Sequence, residues 1–258
     1  MPVHDVARLG FEDPGDYEAA RPSYPPAALA WLGDQVGIGP GARVVDLASG
    51  TGKLTRLLRT LGPALLAIEP VPGMRATFRR VLPEVAVVAG TAEALPIRGE
   101  SVDVVTVAQA FHWFDHDAAL AELARVLRPG GRLALLWNAR VRDVDWVDRV
   151  WAVMDRVEKH APWRDHDNGQ EAALEAMFGK TSDFEPLQFA VFNHEHVLTP
   201  EDVVRRVASV SHVAVLPAED RATVLEEVRD ILVSDRMTRG REHVAIPYRV
   251  DCSFARRR

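Results

Sequence analysis

From Arg43 to Trp137 the apolar positions follow two alternating rhythms. Consecutive apolar runs, at Arg43 to Leu47, Ala64 to Ile68, Val85 to Ala89 and Val104 to Ala108, read as strands buried on both faces. Between them apolar residues recur at three- and four-residue spacing, as at Leu54, Leu57 and Leu58, and again at Leu120, Leu123, Ala124 and Leu127. That spacing lines one face of a helix. Gly62-Pro63 stops the first helix near Leu61, and Pro70 to Met74 turns into another. Arg128-Pro129-Gly130-Gly131 makes the turn into a fifth strand, Arg132 to Trp137. Strands that alternate with helices predict a parallel sheet covered on both faces.

After Trp137 the rhythm changes. Trp146, Val147, Val150 and Trp151 form a helical stripe and Trp163 to Gly169 a polar loop, so this part reads as a helical insert. Phe184 to Leu198 alternates as a strand. Thr199-Pro200 opens a helix ending over Ser209 to His212, Pro217 to Val233 reads as a second helix, and Glu242 to Phe254 as the last strand. Pro247 in that strand donates no hydrogen bond, which predicts an edge or a strand start. The expected fold class is α/β: a doubly wound, seven-stranded, mostly parallel sheet with an antiparallel strand near its end and a helical insert. The expected divisions are an N-terminal lid-helix region at 1–36, an α/β core at 37–140, a helical substrate insert at 141–183, and C-terminal strands and helices at 184–258. Residues 1–16 read as a leader.

The candidate chemistry begins after the first strand, at Asp46-Leu47-Ala48-Ser49-Gly50-Thr51-Gly52-Lys53. Glycine without a Cβ allows unusual φ and lets a ligand lie on bare backbone. The following helix aims its first N–H groups at whatever fills the turn. A phosphate-cradling G-x-x-x-x-G-K-[ST] loop is excluded, since Leu47 stands five before Gly52 and Leu54 brings no hydroxyl for magnesium. A dinucleotide fingerprint registered on Ala48 and Gly50 puts Lys53 where a small residue must pack, which opposes a nicotinamide-dependent reductase. The spacing that fits is acidic-x-small-x-Gly-x-Gly, on Asp46, Ala48, Gly50 and Gly52.

That spacing resembles the first motif of class I S-adenosylmethionine-dependent methyltransferases, with Ala48 where the family has glycine. Further segments are similar to the same family, in the same order. They are Y-x-x-x-R-P-x-Y-P at Tyr17 to Pro25, Glu69-Pro70 after the second strand, G-T-A-E-A-L-P at Gly90 to Pro96, and L-x-R-V-L-R-P-G-G-x-L at Leu123 to Leu133. A-Q-A-F-H-W-F-D at Ala108 to Asp115 closely matches a small-molecule subgroup that includes the trans-aconitate type.

The resemblance implies S-adenosylmethionine as cofactor, S-adenosylhomocysteine as product, and a small-molecule acceptor. Tyr17 and Arg21, one helical turn apart, would meet the methionyl carboxylate. Asp46, Ala48, Gly50 and Gly52 would form the cofactor loop, Glu69 with Pro70 would hold the ribose diol, and Thr91, Ala92 and Glu93 would lie beside the adenine. Gln109 and Ala110 would face the cofactor, and His112, Trp113, Asn138 and Arg140 the acceptor. His112 is the candidate general base, with a structural histidine at a strand–helix junction as the other reading. Methyl transfer to an oxygen, carboxylate or hydroxyl, is expected. The alternatives are ring-carbon or nitrogen methylation, and a non-catalytic S-adenosylmethionine-binding protein.

Composition narrows this further. The 258 residues suit one α/β domain with insertions, and 47% hydrophobic with 26% charged is ordinary for a globular protein. A net charge of −6 argues against nucleic acid as the main partner. The single cysteine, Cys252, excludes an internal disulfide and a cysteine zinc cluster. No metal is expected: His160 and His166 with Asp165 and Asp167 match no ligand spacing, and His194-Glu195-His196 is not H-E-x-x-H. No run approaches the roughly 18 apolar residues of a membrane span, and Met1 to Tyr17 is polar, so a cytoplasmic location is expected.

Overall fold

The structure is a computed structural model that describes residues 21–157 and 170–258. The leader, Tyr17 and the polar loop from Trp163 to Gly169, with His160, His166, Asp165 and Asp167, lie outside the described residues. Helix α1 (Pro26–Asp34) starts on Pro26, where the missing N–H costs nothing. The alternating part then runs β1 (Arg43–Leu47), α2 (Lys53–Leu58) with a 3-10 turn to Leu61, β2 (Ala64–Ile68), α3 (Pro72–Val81), β3 (Ala86–Val88), β4 (Val102–Ala108), α4 (His116–Val126) and β5 (Leu127–Arg140). Then follow α5 (Asp145–Val157), α6 (Gln170–Phe178), β6 (Gln188–Leu198), α7 (Pro200–Ala208), α8 (Ser211–Ala214), α9 (Ala218–Ser234) and β7 (Val244–Arg256).

The seven strands make one sheet in the order β3-β2-β1-β4-β5-β7-β6. Only β7 runs against its neighbours. The continuous apolar runs serve both faces. Val45, Val105 and Leu135 join the cluster under α4 and α6, while their neighbours Val44, Val104 and Ala134 join the cluster under α1 and α2. A third cluster packs α5, α7 and α9 over Val244, Ile246 and Tyr248, at the end where β1, β4 and β5 finish.

The structure corrects several element boundaries. Leu127 is already extended and pairs with Val102, so α4 ends at Val126 and the Arg128 to Gly131 turn lies inside a longer β5 as an irregularity. The strand expected from Phe184 begins at Gln188, because Phe184 makes only an isolated bridge to Arg257. The helix expected to run over Ser209 stops at Ala208, and α8 is separate from it. Strand β7 is not an edge strand but lies between β5 and β6. Pro247 is tolerated because the β5 ladder ends at Arg140↔Tyr248, leaving Pro247 opposite β6 alone.

Candidate functional site

Sheet order reverses between β1 and β4, whose carboxyl ends therefore open a crevice not roofed by a crossover. The loop after β1 turns through left-handed backbone at Ala48 (φ 53°), Gly50 (φ 58°) and Gly52 (φ 90°). A Cβ on Gly52 would lie 2.6 Å from Leu82 Cδ1 and 2.8 Å from Phe78 Cε2, so Gly52 is the point where the loop packs on α3. A Cβ on Gly50 would meet nothing within 4 Å, which leaves its backbone bare toward the crevice.

Glu69, at the end of β2, secures that loop. Gly50 donates its N–H to Glu69 Oε2 (2.9 Å) and Val71 donates to Oε1 (2.8 Å). Burial raises the Glu69 carboxyl above its ordinary value, against the pull of these two N–H groups. Asp46 is more deeply enclosed. Its carboxylate accepts from the Thr55 hydroxyl and from Thr106 (2.9 Å), tying β1 to α2 and β4. Burial pushes it up to about 6.

The crevice encloses about 650 Å³, counting its mouth. Of the residues singled out from the sequence, it brings together Arg21, Asp46, Ala48, Gly50, Gln109 and Asn138. Gln109, directly after β4, holds φ 59°, so two non-glycine residues just beyond adjoining strand ends hold left-handed backbone on the crevice wall. Gly52, Glu69, Pro70, Thr91, Ala92, Glu93, Ala110, His112, Trp113 and Arg140 do not line it. Glu93 instead accepts from the Asp115 N–H (3.0 Å), and Thr91 bridges back to Ala94. His112 lies in a 3-10 turn, Phe111–Trp113, with its ring 4.8 Å from that of Trp113. Arg140 pairs with Asp155 and sits 4.9 Å over the Trp151 ring.

The sequence reading missed part of the lining. Lys53, Tyr24, Arg206 and Tyr248 line the crevice as well. Asn138 Oδ1 lies 2.9 Å from His194 Nε2 on β6, and the His194 and His196 rings flank Tyr248 at 5.8 and 6.3 Å. Burial, with the charges of Arg206 and Lys53, brings His196 down to about 4. His212 falls to about 4 for similar reasons, through burial, Arg140 and Arg21. Both rings are therefore neutral at pH 7. A usable signal for Arg206 did exist: it stands three after Val203, on the apolar stripe of its helix.

Residues 45–135 match the family model described as a methyltransferase domain. The chain is 38% identical over 238 residues to an uncharacterized methyltransferase of Mycobacterium tuberculosis, covering 92% of this chain and 91% of that protein. It is 33% identical to an uncharacterized methyltransferase-like protein of Schizosaccharomyces pombe, covering 92% and 90%. Among solved structures, a candidate type II methyltransferase from Anaeromyxobacter dehalogenans superposes with a TM-score of 0.61 at 27% identity, covering 92% and 96%. Among the described residues no helix is long and apolar enough to cross a membrane.

Proposed function

The chain belongs to the S-adenosylmethionine-dependent methyltransferases, and from that premise we propose that it methylates an oxygen of a small-molecule acceptor in the crevice between β1 and β4. The observation that carries the placement is the bare Gly50 backbone beside the Glu69 carboxylate, a cradle that any Cβ would fill. S-adenosylmethionine supplies an already activated methyl on a sulfonium, so the protein's task is alignment.

In this reading Glu69 fixes the ribose diol with its remaining lone pairs, since each carboxylate oxygen takes one backbone N–H and accepts a second bond. Pro70 shapes that turn, and Thr91, Ala92 and Glu93 border the adenine. Arg21, with Tyr17, meets the methionyl carboxylate, while Ala48 and Gly50 form the cradle over Gly52. Gln109 and Ala110 border the sulfonium. Asp46 holds loop and strands in register rather than touching ligand, because both its oxygens are committed to threonine hydroxyls.

An oxygen acceptor is favoured because, among the described residues, the lining offers cations and no uncommitted carboxylate to deprotonate a carbon or an ammonium. A carboxylate needs no base. Its lone pair forms the O–C bond as the S–C bond breaks, the electron pair stays on sulfur, and no proton leaves the acceptor. Asn138, with Arg140 behind the wall, positions it. His112 is a base only for a hydroxyl acceptor, and it and Trp113 lie outside the lining.

Calorimetric titration with S-adenosylhomocysteine tests the placement. Wild type binds, and Gly50→Val and Glu69→Ala each weaken binding at least about tenfold, ~1.4 kcal/mol. Full-strength binding in both variants, with melting temperatures near wild type, would place the cofactor elsewhere.

A further inference from the structure

Arg206 is 4% exposed, yet among the described residues no group pairs with its Nε or Nη1. A buried cation is tolerated only with a counter-charge and hydrogen-bond acceptors. The carboxylates around it are engaged otherwise. Asp202 accepts from Thr199 (2.6 Å) and Arg205 (2.7 Å), and Asp155 pairs with Arg140 and Arg142. The Trp151 ring, 5.8 Å away, supports the guanidinium but cannot neutralise it. Two further buried polar atoms close by also lack partners, Tyr248 Oη and His196 Nδ1. Arg206 and Tyr248 both line the crevice, and the field of Arg206 reaches His196. Unmet polar side chains from α7 and β7 thus share one wall, with His196 of β6 beside Tyr248.

We infer that Arg206, Tyr248 and His196 form a preformed subsite for a carboxylate of the acceptor, which makes the substrate class a small carboxylic acid. The inference rests on the crevice being the methyl-transfer site. Arg206 supplies two N–H donors at a fixed angle, matched to a carboxylate. Tyr248 Oη supplies a third donor, and His196 donates from Nδ1 in the tautomer that carries its proton there. The cofactor's own carboxylate is the competing anion. Tyr248 stands on β7, three strands from the Gly50 loop of β1, about 14 Å at the usual strand spacing. Arg21 donates to Ser209 O (3.3 Å), three residues beyond Arg206, and Lys53 Nζ donates to Arg21 O (2.6 Å), so the cations of both sites line one crevice and the separate measurement of cofactor affinity tells them apart. Where the bound carboxylate is also the methylated one, the ester has lost the charge that held the acid, and product release follows from the reaction itself.

The test titrates the full-length protein, saturated with S-adenosylhomocysteine, with succinate, citrate and benzoate and with their methyl esters. Saturation-transfer NMR reads binding, and calorimetry measures S-adenosylhomocysteine affinity separately. The expected result is that at least one acid binds, that its ester binds at least about tenfold weaker, and that Arg206→Met loses the acid by a similar factor. Arg206→Met keeps its S-adenosylhomocysteine affinity within about twofold. Tyr248→Phe weakens the acid by a smaller factor, and Arg206→Lys restores part of what methionine loses. A tenfold loss of S-adenosylhomocysteine affinity in Arg206→Met would assign the arginine to the cofactor and overturn the subsite. Equal binding of acids and esters, or no acid binding to wild type below about 10 mM, overturns the substrate class. If wild type binds no S-adenosylhomocysteine while the acids still bind through Arg206, the site reading fails and the anion subsite stands.

Discussion

Ala48 holds φ 53°, a conformation in which a Cβ crowds the following carbonyl. The residue lines the crevice, and the family motif has glycine at this place, so the loop keeps its path and the chain bears the strain locally. Left-handed backbone costs a non-glycine residue about 1–2 kcal/mol. Glycine would relieve that cost but return about 0.4–1 kcal/mol through the freer unfolded chain. Ala48→Gly should therefore stabilise the protein by about 0.5–1 kcal/mol, read as a higher urea midpoint at unchanged slope. A lower midpoint would mean that the loop relaxes around Ala48 and stores no strain. Gln109, at φ 59° just beyond the adjoining strand end, is under the same constraint.

At the scale of elements, the two loop glycines separate packing from ligand contact. Gly52 faces Leu82 and Phe78 of the α3 segment, where an added Cβ would lie inside van der Waals contact, whereas Gly50 faces open space. Gly52→Ala should cost about 2–4 kcal/mol from overpacking plus strain, and Gly50→Ala only about 1 kcal/mol from its φ. The comparison is read by urea denaturation, and equal losses in the two variants would refute the assigned split. Much of this region was legible in the sequence. Strands β1 and β2 begin and end on the expected residues, because both are short apolar runs bounded by glycine, proline or a charge. Legibility failed where tertiary pairing overrode local signals. Leu127 continues the stripe of α4 but pairs with Val102, and Pro247 reads as an edge residue inside a strand that ends its β5 ladder one residue away. The wall proposed for the acceptor was least legible. Arg206, Tyr248 and His196 lie on three elements that only the order β5-β7-β6 brings together.

Across the whole molecule, the polar groups buried at this end of the sheet oppose one another as pH falls. His196 and His212 titrate near 4 in the folded chain and near 6.5 when unfolded, so between those values the unfolded state binds more protons. Their contribution to stability is present above pH 6.5 and is lost on acidification toward 4. Asp46 runs the other way. Its carboxyl titrates at about 6 folded against 3.8 unfolded, so the native state holds the extra proton and gains stability over the same window as pH falls. Asp103, Glu122 and Asp202 are depressed by arginine and hydroxyl partners and add to the acid loss only as pH drops through the ordinary carboxylate range. The wild type should therefore lose stability between pH 6.5 and 4 on a slope that Asp46 makes shallower. Each fully titrating group contributes at most ~1.4 kcal/mol per pH unit. Asp46→Asn keeps the shape and removes the opposing titration, so urea midpoints at pH 7, 6, 5 and 4.5 should fall more steeply in the variant than in wild type. Parallel curves would mean that Asp46 is charged throughout that range, and that Thr55 and Thr106 hold a carboxylate rather than an acid.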